Sequence, residues 1–258
     1  MVEVHRMFFH YKEFPLSMRT LFTGTLLVLG LAYLFAMVHV YNSHAGRDGL
    51  PGLSVDDIAI AYSGSKEATK LESALMGPMS GMLGTDERGS VIGWVRRGMD
   101  AKEYEARIKP IFDKRCLSCH DGSNPHIPSL TDYEETAHLA EVDTGMDIFT
   151  LIRVSHIHLF GITFIFFIMG QIFAHAFVRP VWFKSVVVAL PFIAIMMDVL
   201  SWYVTKVFPP FAWVVIMGGG LMGASFAFQW IVSMYQIWFS KYSPAEHRKD
   251  TTREATTV

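Results

Sequence analysis

Long stretches without any charged residue constrain this fold more than any other feature of the sequence. Three of them exceed the roughly 20 residues that an α-helix needs to cross a bilayer: they run from Arg19 to Arg47, from Arg153 to Arg179 and from Lys206 to Lys241. A fourth stretch, from Lys184 to Lys206, is interrupted only by Asp198. The pattern predicts an all-α membrane protein whose four transmembrane helices lie at about 20–41, 158–178, 185–206 and 211–239.

The overall composition supports this interpretation. Of the 258 residues 51% are hydrophobic and 18% are charged, and the formal net charge is −2. A chain this apolar is not typical of disordered proteins, and its charge balance is not that of a basic nucleic-acid binder. We therefore expect the membrane as a partner and no nucleic acid.

Basic residues near the helix ends predict the orientation. Lysines and arginines occur in three helix-flanking segments: the N-terminal tail, the short turn at 179–184 and the C-terminal tail. An even number of spans places all three segments on one side of the membrane. By the positive-inside rule this side is cytoplasmic, so residues 42–149 face outward. That segment holds 11 basic and 18 acidic residues, hence a net charge of −7, which suits a basic soluble partner.

The first helix could also be a cleaved signal peptide. The tripeptide Ser43-His44-Ala45 is an acceptable cleavage site. However, the apolar stretch from Leu21 to Val40 is longer than the roughly 7–15 residues of a signal core. We expect an uncleaved signal anchor.

The outward segment is predicted to be mostly α-helical. Ser54, three residues before Asp57, is typical of a helix start, and 66–75 favours a short amphipathic helix. Asp100 can cap a further helix from Ala101 toward Phe112. No long alternating strand pattern occurs.

The only two cysteines lie in the sequence Cys116-Leu117-Ser118-Cys119-His120. This spacing fits covalent haem attachment, in which two thiols form thioethers with the porphyrin and the adjoining histidine is the proximal iron ligand. A thioredoxin-like redox pair, half of a zinc site and a chance match are alternatives. A thioredoxin-like pair follows a strand in a βαβ pattern, and the sequence lacks that pattern. A zinc ribbon needs a second pair of thiols, which the sequence also lacks.

Here the chain resembles a c-type cytochrome over about residues 90–150. The resemblance rests on the motif, on Asp121-Gly122 after it, and on the stretch Ile108-Lys109-Pro110-Ile111-Phe112-Asp113-Lys114-Arg115 before it. It implies one covalent haem c held by Cys116 and Cys119, with His120 as proximal ligand.

The sixth ligand of the iron is less well determined. The common monohaem fold implies a methionine after the motif, and Met146 is the only one before the membrane, so Met146 is the first choice. Other donors follow the motif, namely His126, His138, His156 and His158. Four methionines of the segment 42–149 precede it, in an order the usual fold does not employ: Met76, Met79, Met82 and Met99.

A second site is an alternative at the outer membrane face. His39 and His44 end the first helix, and His156 and His158 begin the second at nearly the same depth. Facing imidazoles could bind haem b, and His39, His156 and His158 with Asp198 could hold a non-haem metal or form a quinol site. An ionisable residue inside a span is a functional candidate, although a structural hydrogen bond would also explain it.

His175 lies near the inner end of the second helix. A second haem b there would need His5 or His10 from the N-terminal tail, because helices three and four contain no histidine. A two-haem wire across the membrane is therefore not expected.

These observations predict a membrane-integral monohaem cytochrome c that transfers single electrons as a subunit of a respiratory or oxidoreductase complex in a bacterial inner membrane, with its haem domain in the periplasm. The alternative is a redox enzyme subunit with the outer-face site. Three helices beyond the anchor suggest docking to other membrane subunits. The predicted domains are a cytoplasmic tail and anchor at 1–41, the haem domain at 42–149, a three-helix membrane domain at 150–240 and a tail at 241–258.

Overall fold

A computed structural model describes residues 9–124 and 127–241. Of these described residues 72% are helical, and none forms a strand. It forms two compact units. The first, here called the bundle unit, comprises Met1–Met37, Ile152–Ser201 and Trp213–Val258; the second, the motif unit, comprises Val38–Leu151 and Trp202–Ala212.

The helices follow one another with short connections. In chain order they are α1 Leu16–His44, α2 Val55–Ser63, α3 Lys70–Met76, α4 Thr85–Arg96, α5 Ala101–Glu103, α6 Lys109–Arg115, α7 Tyr133–Ala137, α8 Ile148–Ala174, α9 Val181–Val207 and α10 Ala212–Trp238. A π-helical segment, Tyr104–Ile108, joins α5 to α6, so the backbone is helical without interruption from 101 to 115.

The four predicted spans are confirmed as α1, α8, α9 and α10, each long and apolar enough to cross a membrane. The predicted start of the second span at 158 is wrong by ten residues. Helix α8 begins at Ile148 because the Asp147 carboxylate accepts a hydrogen bond from the Thr150 amide at 3.0 Å and caps the first turn. Arg153 therefore lies inside the helix rather than before it.

A proline inside α9 shapes the packing of the bundle unit. Pro191 has no N–H, so the carbonyl of Val187 one turn earlier lacks its helical partner. Ser225 Oγ donates to this carbonyl at 2.7 Å and Gln229 Nε2 donates at 3.2 Å, both from α10. Lipid contains no water that could donate a hydrogen bond to an unpaired carbonyl. The two side chains supply the missing donors, so the helix can contain a proline here.

One end of the bundle unit gathers the N-terminal segment, the turn after α8 and the end of α10. Tyr11 Oη donates to the Ile172 carbonyl at 2.6 Å and lies 2.9 Å from Ser233 Oγ. The Gln236 amide both accepts from and donates to the backbone of Phe177. These three regions therefore share one side, as the predicted topology requires.

Side-chain caps and a small apolar core organise the motif unit. The predicted caps at Ser54 and Asp100 are confirmed, since each accepts a backbone N–H of the first helical turn. The helix predicted at 66–75 begins only at Lys70, because Thr69 caps it. Trp94, Tyr104 and Phe112 are fully buried in the core.

Candidate haem-attachment site

The continuous helical run from Ala101 to Arg115 packs against the motif unit's core and ends directly before the cysteine motif. Tyr104, Ile108 and Phe112 recur every four residues on its buried face. The amides of Cys116 and Leu117 both bond the Phe112 carbonyl, at 2.8 and 3.1 Å. The motif thus begins where a well-packed helix ends.

The motif itself forms a tight backbone turn. The amides of Cys119 and His120 both donate to the Cys116 carbonyl, at 3.0 and 2.9 Å. Both thiols are free; Cys116 is half-buried against the core and Cys119 is exposed. Burial, together with the nearby Glu87 carboxylate, raises the pKa of the Cys116 thiol. Redox-active pairs of the thioredoxin type instead need a lowered thiol pKa, so the environment disfavours that alternative.

The geometry of His120 matches that of a metal-bound imidazole. Its Nδ1 lies 2.7 Å from the Pro128 carbonyl oxygen, which can only accept, so the proton resides on Nδ1. Nε2 then keeps its lone pair for a metal, the arrangement that ligating histidines generally show. The Leu130 amide donates to the His120 carbonyl at 3.0 Å and fixes the backbone as well.

These residues fit a covalently bound haem. Two unpaired thiols, an imidazole whose Nδ1 faces a carbonyl oxygen, and an apolar cluster against which Cys116 packs are elements that attachment requires. The zinc alternative lacks its donors: within 9–124 and 127–241 no three His, Cys, Asp or Glu side chains form a group that could hold a metal ion.

The same finding applies to the predicted outer-face metal centre. His39 and His156 are exposed, and the His156 ring lies 5.1 Å from that of Phe160. His158 is half-buried, with Nδ1 2.9 Å from the Val154 carbonyl of its own helix. No group of three His, Cys, Asp or Glu side chains that could hold a metal ion occurs among the described residues, and a site formed by His39, His156, His158 and Asp198 stays a prediction.

Asp198 is nonetheless buried, with 7% of its surface exposed, inside the bundle unit. A Cβ atom added at Gly218 would lie 3.0 Å from Asp198 Cβ, so the glycine allows α10 to pack directly over the aspartate. Ser201 Oγ donates to the Asp198 carbonyl at 2.6 Å. The burial of Asp198 therefore depends on a small residue in the facing helix.

Met146 lies among residues far from the motif in sequence. Its amide donates to the Ala61 carbonyl at 3.1 Å, and its own carbonyl accepts from Lys206 Nζ at 2.9 Å. Met79 and Met99, like Cys116, pack against the core of the motif unit. The Met146 ligand stays a prediction, and its alternative His126 lies outside the described residues.

At the end of the bundle unit where the N-terminal segment lies, His175 and His10 form hydrogen bonds with protein groups. His175 Nδ1 donates to the Phe9 carbonyl at 2.8 Å, and its ring stacks on that of Phe22. His10 Nε2 donates to Gln236 Oε1 at 3.2 Å. Both imidazoles thus contribute to packing of the N-terminal segment. His5 lies outside the described residues.

Comparison with known proteins bears on the membrane part alone. A family model described as a transmembrane helical domain matches residues 140–244, which include α8, α9 and α10. No curated protein and no solved structure matches the chain. The chain is thus a multi-pass membrane protein, and the role of its cysteine motif has to be argued from its own residues.

Proposed function

We propose that the protein is a membrane-integral monohaem cytochrome c that transfers single electrons within a membrane redox complex. The observation that carries this proposal is the distance of 2.7 Å between His120 Nδ1 and the Pro128 carbonyl oxygen. A carbonyl acceptor at Nδ1 leaves Nε2 as an iron ligand, directly after two unpaired thiols. Neither a disulfide pair nor a surface histidine requires that arrangement.

The bound haem would supply an iron that alternates between the ferric and ferrous states. The chain's own residues do the rest. Cys116 and Cys119 would bind the porphyrin covalently, and His120 would ligate the iron. Phe112 and Leu130 belong to the buried cluster against which Cys116 packs, so the site is apolar on that side. An apolar surrounding, with the choice of axial ligand, would set the reduction potential.

Location and partners follow from charge. The basic helix-flanking segments favour a cytoplasmic position, which places the motif unit on the outer side of a bacterial inner membrane, in the periplasm. The net charge of −7 over 42–149 favours a basic soluble electron-transfer protein as one partner. The helices beyond the anchor suit docking to other membrane subunits.

The test is retention of haem by the denatured chain. The full-length protein, produced in a host that attaches haem c, is separated on a denaturing gel and stained for haem peroxidase activity. The unmodified protein and a Ser118→Ala control from the same turn should stain, whereas Cys116→Ser with Cys119→Ser should lose the signal completely. Haem that extracts freely from the unmodified protein into acid acetone would refute the proposal.

A further inference from the structure

The motif unit contains an open groove of about 690 Å³ that is separate from the cysteine motif. Its walls come from the last turn of α1, from the loop 45–52, and from the segment 76–82 together with Arg88 of α4. A volume of this size is typical of sites that bind small organic molecules. The groove can therefore hold a ligand without competing with the proposed haem.

The groove lies at a boundary of the membrane. Tyr41 and Asn42 line it and belong to α1, one of the four spans. Arg19 is the last charged residue before the apolar stretch of this helix, so it marks one boundary of the hydrocarbon core. Tyr41 follows Arg19 by 22 residues, which is about 33 Å of helix, whereas the core is roughly 30 Å thick. Tyr41 therefore lies at the opposite boundary, where lipid head groups begin.

Apolar side chains line the groove and are open to the surroundings. Leu50 is 67% exposed, Met82 57% and Tyr41 51%. Leaving such side chains in water forgoes the free energy of burial, about 25 cal/mol for each Å² of apolar surface. Exposed apolar surface of this kind is typical of binding sites, and at a membrane boundary it fits the glycerol and upper acyl chains of a lipid.

Arg88 is the only charged residue among the described residues that line the groove. Its Nη1 donates to the carbonyl of Ser80, another lining residue, at 3.4 Å, so the guanidinium lies beside the groove wall. Within the described part of the chain this is the one hydrogen bond of the Arg88 side chain, which leaves most of its five donors for a ligand. A guanidinium binds phosphate oxygens strongly, and the described wall contains no carboxylate that would repel them.

From these observations we infer that the groove binds one anionic phospholipid. The head-group phosphate lies at Arg88, and the glycerol and upper acyl chains lie along Met82 and Leu50. A free phosphate ion would leave the apolar wall exposed. A zwitterionic lipid would bring an ammonium group, for which the described wall offers no carboxylate. The inference goes beyond the proposed electron transfer and does not depend on it.

The test is native mass spectrometry of the full-length protein in a neutral detergent, titrated with phosphatidylglycerol. The unmodified protein should bind one phosphatidylglycerol about tenfold more tightly than the zwitterionic phosphatidylethanolamine. Arg88→Gln should weaken phosphatidylglycerol binding about tenfold, because it removes charge-assisted hydrogen bonds to the phosphate. Arg107→Gln is the matched control: its side chain is 77% exposed and does not line the groove, so binding should be unchanged.

A second pair of variants fills space instead of removing charge. Gly81 lines the groove, and a Cβ atom added there meets no neighbouring atom within 4 Å. Gly81→Phe should therefore leave the fold intact, occupy the groove and weaken phosphatidylglycerol binding about tenfold. Gly89→Phe is its control, since Gly89 on α4 has the same open space but does not line the groove.

Several results would overturn the inference. They are equal binding of the two phospholipids, binding by Arg88→Gln or Gly81→Phe as tight as that of the unmodified chain, and an equal loss in the two control variants. Inorganic phosphate that binds as tightly as phosphatidylglycerol would assign Arg88 to a free ion. A dimer that dissociates in Gly81→Phe would assign the groove to a second copy of the chain. Haem staining of each variant on gels should match the unmodified protein, which separates a failure of lipid binding from a failure of haem attachment.

Discussion

The bundle unit and the motif unit satisfy their backbone polar groups in different ways. In the motif unit, short helices start with side chains that accept the open N–H groups of the first turn: Ser54, Thr69, Asp100 and Asp132. In the bundle unit, the long helices satisfy their own ladders, and the break at Pro191 is repaired from another helix by Ser225 and Gln229. Side-chain caps are sufficient where water can bind the remaining polar groups. In lipid, every backbone polar group needs a partner within the protein.

The same contrast governs stabilisation. The motif unit depends on a few large side chains, since its helices are too short to be stable alone. The bundle unit exposes many large apolar residues, which is expected where lipid replaces water. Removing an aromatic ring from the core of the motif unit should therefore lower the free energy of unfolding strongly. Removing one from the exposed surface of the bundle unit should lower it only slightly.

The largest effect is expected for Trp94→Ala. Trp94 is 0% exposed, and deleting a buried ring of this size should lower the free energy of unfolding of the motif unit by about 3–5 kcal/mol. This free energy is measured by unfolding the full chain with urea in detergent and using proteolysis of the motif unit to report the unfolded fraction. Trp213→Ala, with a side chain 60% exposed on α10, is the matched control. Equal losses in the two variants would contradict the contrast.

A smaller effect should follow from removing the two side chains that serve the Val187 carbonyl. Ser225→Ala with Gln229→Leu leaves this carbonyl unpaired and should cost about 1–3 kcal/mol, measured by denaturation of the bundle in increasing fractions of a harsh detergent. In a Pro191→Ala background the helix regains its own N–H donor, so the same pair of changes should cost clearly less. An equal cost in both backgrounds would show that the side chains do not act through Val187.

Much of the fold could be predicted because its signals are local. Charge-free stretches reveal the spans, and Ser54 and Asp100 reveal helix starts, since each acts on amides two or three residues away. The start of α8 was missed because hydropathy marks where lipid begins, whereas the helix begins at the Asp147 cap in the polar segment before it. The repair of Pro191 joins residues more than thirty positions apart, which no local pattern indicates.

The candidate site divides in the same way. Cys116, Cys119 and His120 are adjacent in the chain, so their spacing alone predicts the chemistry. The Pro128 acceptor depends on how the following loop folds back. The choice of Met146 relied on chain order, whereas its contacts with Ala61 and Lys206 are tertiary features.

The smallest expected effect is a dependence of bundle stability on pH through His175, which lies just beyond the end of α8. Burial lowers the pKa of His175 below its usual value of 6.5, and the nearby Lys184 charge also lowers it, although the hydrogen bond to Phe9 opposes them. The packed imidazole is therefore neutral at pH 7, whereas the unfolded one takes up a proton once the pH falls below about 6.5. Stability from this group is fully present above that pH and declines as the pH falls toward the folded-state value. The thermal midpoint in detergent should drop between pH 7.5 and 5.5 more in the unmodified chain than in His175→Asn, whose amide can still donate to Phe9 but does not titrate. An identical drop in both proteins would assign the pH dependence to other groups.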